Sequence, residues 1–127
     1  MAARFPARNP DGAFIVAAQF RTATTHPRAH VAAILADAIT RQEAGGAPTF
    51  ADEFLRPPAV EWQDEEVLDL VFHGRADSRM WKDWMVLLLR ELEAPAYGLR
   101  FEGFIDRVSG RPHHGWRPGG ERDRQSS

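Results

Sequence analysis

Two kinds of apolar spacing alternate along this chain, and their order constrains the fold more than any other feature. Ala13–Phe20 is a short apolar run rich in strand formers, too short for an ordinary helix. Val31, Ile34, Leu35, Ala38 and Ile39 then recur at intervals of three and four, the period of one helix face. Thr25 or His26 is placed to cap this helix, Pro27 suits its first turn, and Gly45-Gly46 stops it. Residues 47–58 are long for a bare loop, so a helical turn is expected from Thr49 to Asp52. Ala59–Gln63 and Val67–His73 flank the polar turn Asp64-Glu65-Glu66, a hairpin signature. A second helix is expected from Ser78 to Glu93, capped by Asp77 or Ser78, with Trp81, Trp84, Met85, Leu88 and Leu92 as its stripe. A last strand opens at Gly98-Leu99 and continues to Ile105.

Strand, helix, strand, strand, helix, strand is the order of an α+β, ferredoxin-like βαββαβ arrangement, an antiparallel sheet with two helices on one face. The first and third strands are the most apolar and belong at the centre. The second and fourth carry Glu61, Arg100 and Glu102, as edge strands do. A chain of 127 residues with 43% hydrophobic residues suits one domain with a real core. Its expected bounds are 12–108, with an N-terminal arm over 1–11 and a flexible tail over 109–127, where Gly110, Pro112, Gly115 and Pro118 interrupt any pattern.

There is no cysteine, which excludes disulfide scaffolds, thiolate metal sites and cysteine nucleophiles. The start of the chain lacks the apolar core of a signal peptide, and no apolar run approaches a bilayer span. A cytoplasmic location is therefore expected, and no membrane partner. Of the 16 Lys and Arg residues only Lys82 is a lysine, which in an Ala-rich background reads as a GC-rich bacterial genome. The formal net charge of −2 and intermixed signs argue against specific nucleic-acid binding. Between Asp52 and Asp69 seven acids face only Arg56, either a solvated hairpin or an acidic patch for a basic protein.

Alternation along the central strands divides the side chains between two faces. Phe14, Val16, Ala18 and Phe20, with Leu68, Leu70 and Phe72, should meet the helices. Ile15, Ala17, Gln19, Val67, Asp69, Val71 and His73 then form the open face, half apolar and half polar. Ile15, Val67 and Val71 are its candidate interface residues. Val86 and Leu89 sit off the main stripe of the second helix, which suits burial on more than one side.

Candidate chemistry is sparse. His73-Gly74-Arg75-Ala76-Asp77-Ser78 leads into a helix start, whose amides can hold an anion if Asp77 does not occupy them. Asp69 and His73 share a strand face, but four residues of strand span about 13 Å, beyond a direct hydrogen bond. His73, Arg75, Asp69 and Gln19 are the candidate ligand-binding set. His26 and His30 have a zinc-compatible spacing but no third ligand, and no metal, cofactor or catalytic set is expected. The Trp81 and Trp84 pair reads as core, and Arg107 and Arg111 as part of a diluted basic tail. The leading expectation is a non-catalytic module that binds a protein partner or forms a homodimer through the open face and acidic hairpin. An immunity-type inhibitor is one concrete version. The alternative is a small-molecule-binding protein or small enzyme with a pocket on that face.

Overall fold

The computed structural model describes residues 6–22, 28–46, 49–93 and 98–113. Its elements are β1 (Phe14–Thr22), α1 (Arg28–Ala44), α2 (Phe50–Glu53), β2 (Ala59–Trp62), β3 (Val67–Gly74), α3 (Trp81–Leu92), β4 (Leu99–Asp106) and β5 (Arg111–His113). The fold is α+β: five strands form one open antiparallel sheet in the order β2-β3-β1-β4-β5, with three helices. The six expected elements are present, and α2 occupies the expected helical turn.

Two placements differ from the sequence reading. β4 is not an edge, because β5 pairs with it through Phe104↔His113, Ile105↔Pro112 and Asp106↔Arg111. β5 follows a turn at 107–110 within the stretch read as a tail, and Asp106 Oδ1 holds that turn by accepting the amides of Val108 and Ser109. In sequence Gly110 and Pro112 read as the start of a flexible tail, and a three-residue strand is too short to leave an alternating pattern. The second difference is the start of α3, which lies at Trp81 and not Ser78. Residues 114–127, most of the expected tail, lie outside the described residues. So do Thr25, His26 and Pro27, the expected start of the first helix.

The core lies on the face predicted to meet the helices. Phe14, Val16, Ala18 and Phe20 join Leu68, Leu70 and Phe72, then Phe101 and Phe104, in one buried cluster. α1 contributes Val31, Leu35 and Ala38, and α3 contributes Trp81, Trp84, Met85, Leu88, Leu89 and Leu92. Each fully buried Leu or Phe stabilises the fold by about 1.5–3 kcal/mol relative to an exposed one. Leu89 belongs to this core although it sits off the main stripe, while Val86 is half-buried. Arg41 of α1 bridges to Glu91 of α3 at 2.9 Å and to Asp37 at 3.0 Å, on the solvent side of the helix pair.

Phe14 pairs with Gly74, and its ring fills the space that a Cβ at residue 74 would need. A bulge between Gln19 and Phe20 shifts the β1–β4 register, and Gly103 takes φ 149° there, a conformation open to glycine. The bulge lets both Phe101 and Phe104 turn to the core.

Candidate functional site

The open face is ordered by strand register. Glu61 lies opposite Asp69, and Asp69 opposite Gln19, so two carboxylates face each other across β2 and β3. Like charges in that position repel and call for a cation. Arg107 supplies it. Its amide donates to Ile15 O at 2.8 Å, and its guanidinium reaches back across β1 to Glu61 at 3.0 Å and Asp69 at 3.3 Å. Gln19 Nε2 donates to Asp69 Oδ1, and Gln63 Nε2 to Asp69 Oδ2, both at 3.1 Å. Asp69 is thereby only 3% exposed with each oxygen engaged. A buried carboxylate costs stability unless charge and hydrogen bonds compensate it, and here both do.

The candidate ligand-binding set divides. Gln19 and Asp69 are joined by a hydrogen bond. His73 pairs with Ile15, two residue pairs along the strand from Ala17↔Val71, and no hydrogen bond links it to Asp69 among the described residues. Its Nδ1 is buried without a partner among those residues. Burial pushes the His73 pKa below the usual range, and the positive charges of Arg56 and Arg107 add to this against the opposing Glu61 carboxylate. His73 is therefore neutral at neutral pH. Arg75 turns away from the other three: its Nε donates to Ala51 O at 2.6 Å and its amide to Glu53 O at 2.9 Å.

The start of α3 already holds an anion. Glu53, buried at the end of α2, accepts from Ser78 Oγ at 2.7 Å, the Met80 amide at 2.9 Å and the Arg79 amide at 3.0 Å through one carboxylate oxygen. Burial raises the Glu53 pKa, but the hydrogen bonds from Ser78, Met80 and Arg79 outweigh it, and the net shift is downward. This carboxylate takes the place expected for Asp77 or Ser78 as cap. Ser78 serves instead as a donor to Glu53. Gly74 serves the close approach of Phe14 and not of a ligand.

The candidate interface residues also differ from one another. Ile15 and Val67 are half-buried, whereas Val71 is 2% exposed and Ala17 0%. The centre of the face is closed within the chain, and the usable apolar surface lies around it, at Ile15, Val67 and Ile105. Leu55 extends it. Phe54 bridges Gly74, and the Leu55 amide donates to His73 O at 2.8 Å, so Leu55 lies beside His73 on the same face. It is 47% exposed. Sequence reasoning missed Leu55, Glu61, Gln63 and Arg107. The hairpin register alone juxtaposes Glu61 and Asp69, which was readable, but the identity of their cation depends on the β1–β4 pairing.

Among the described residues, no group of three or more His, Asp or Glu side chains could hold a metal ion. Nor is any described helix long and apolar enough to cross a membrane. His30 is exposed on α1. No protein-family model matches the chain, and neither a curated protein nor a solved structure is significantly similar to it.

Proposed function

We propose that this chain is a non-catalytic protein-binding or self-associating module, working through its open sheet face and its acidic hairpin. The observation that carries the reading is the state of that face. Its polar centre is an internally satisfied Arg107–Asp69–Glu61 network, and its periphery is apolar and accessible at Ile15, Val67, Ile105 and Leu55. A carboxylate whose oxygens are engaged orients and rigidifies a surface better than it moves protons. The hairpin adds charge: Asp64, Glu65 and Glu66 are all exposed beside it, with Glu66 bridged to Arg21 at 3.5 Å. Exposed acids of this kind speed the capture of a basic protein, as an immunity-type inhibitor requires. A bacterial, cytoplasmic setting belongs to the same proposal. So does the ferredoxin-like assignment, supported by the β2-β3-β1-β4 order of the four longer strands, with β5 and α2 as additions.

A second reading, a small-molecule site or small enzyme on the same face, draws on one observation, the unpartnered Nδ1 of the neutral His73. Native mass spectrometry of the protein purified gently from its own cells separates the two. The association reading expects a homodimer or a co-purifying basic protein. A monomer carrying a bound small molecule would replace it with the second reading.

A further inference from the structure

On the face opposite the core cluster, the centre of the sheet is closed although it is apolar. Ala17 and Val71 pair across β1 and β3, stand outside the core cluster, and are nevertheless buried. Arg107 is the side chain that spans this row. Its amide is anchored on Ile15 O, at the Ile15↔His73 row, and its guanidinium ends on Asp69, at the Gln19↔Asp69 row. Ala17↔Val71 lies between those two rows, so the aliphatic stem passes over it while the charged head goes on to Asp69 and Glu61.

These are the parts of a site for an arginine side chain. Ala17 and Val71 give an apolar floor for the stem, and Nη2 of the head meets both carboxylates, at 3.0 and 3.3 Å. The buried acceptor is oriented without help from Arg107, because Gln19 and Gln63 hold one oxygen of Asp69 each. A site fixed before its ligand arrives loses little to ordering on binding. The present occupant is held less firmly. Arg107 leaves the turn that follows β4, its side chain is about one-third exposed, and its pair with Glu61 is of the exposed kind that contributes little. Asp64, Glu65 and Glu66 stand exposed on the β2–β3 turn, so this side of the sheet draws more cations than the one it holds.

We propose that Arg107 is a strap over an arginine-recognition site, and that a basic protein partner docks by laying its own arginine on Ala17, Val71, Asp69 and Glu61 as Arg107 swings out. The inference rests on the association reading for its partner and adds the chemistry of the anchor. A guanidinium suits the site better than an ammonium, being more weakly hydrated and so less costly to place on a partly buried floor.

The test is an NMR titration of the full chain with N-ethylguanidinium, with ethylammonium at equal ionic strength as control, followed at the backbone amides and at the Arg107 Nε–H signal. Arg107→Ala should bind the probe saturably, with shifts at residues 17, 69 and 71. The wild type should bind it about tenfold more weakly, because the strap competes, and its Arg107 Nε–H signal should move to the position of a solvated arginine. The wild-type signal keeps the test decisive even if Arg107→Ala folds poorly. Absence of saturable binding would overturn the proposal. So would an Arg107 signal that stays fixed while the probe binds, equal binding of ethylammonium, or equal binding once Asp69→Asn is added to Arg107→Ala. Native mass reads association separately. An assembly that survives saturating N-ethylguanidinium would retain the association reading and overturn this one, whereas a monomer with no co-purifying protein would remove the partner from both.

Discussion

Glycine at 74 is demanded by the side chain opposite it. Phe14 lies where a Cβ would stand, in a strand pair that cannot move apart without breaking its ladder. Gly74→Ala should therefore cost about 1–3 kcal/mol, read as a lower denaturation midpoint at unchanged slope. A Gly beside a helix start permits a close approach, but in sequence it looks the same whether a ligand, a ring or nothing fills the space. Glu53 acts through charge. Its folded pKa lies below its ordinary value, so the native state binds fewer protons than the unfolded chain. The stabilisation is present in full above the ordinary carboxylate range and is lost as pH falls from about 4.5 towards the folded pKa. Glu53→Gln should cost about 1–2 kcal/mol at pH 7 and flatten that acid dependence in urea titrations. His73 has the same sign for a different reason. Its folded pKa also lies below its ordinary value, so the unfolded chain takes up the proton first, and stability falls as pH drops from about 6.5. His73→Gln should remove that part of the slope between pH 7 and 5.

At the scale of elements, the strands and helices were legible because each carries its own period, and their ends were less so because ends depend on neighbours. The cap of α3 shows why. Asp77 and Ser78 stand in the local position for a cap, and local spacing was the only guide, but the amides of Arg79 and Met80 are taken by a carboxylate some 26 residues earlier in the chain. β5 escaped notice for the opposite reason, being too short to show alternation. The Arg107 latch combines both difficulties, since it leaves a turn after β4 and ends on β2 and β3. Arg107→Ala should leave Asp69 with two amide donors and no cation. Asp69 is buried while Arg107 is about one-third exposed, so solvent screens part of the loss, and about 1–2 kcal/mol is expected by chemical denaturation. Asp69→Asn in the same background should recover part of it, because the charge that needed Arg107 is then gone.

At the scale of the molecule, which face of the sheet is covered by helices followed from strand alternation, and the rows beginning at Phe14 and Leu68 lie there. How much of the other face is accessible did not follow. Val71 looked like a centre for association, but it is 2% exposed, so Val71→Asp should unfold the domain and say nothing about a partner. Ile15→Glu and Val67→Glu put charge on half-buried positions at the rim. They should leave the thermal midpoint nearly unchanged and shift the native mass from assembly to monomer. The cap on α3 also orders events in time. Glu53 leaves the ribosome well before the amides it holds, and β2 and β3 are the elements that lie between them in the chain. Protection of the Arg79 and Met80 amides is expected to appear together with that of β2 and β3 in pulse-labelled deuterium exchange during refolding, marking the moment when two distant stretches of chain become one body.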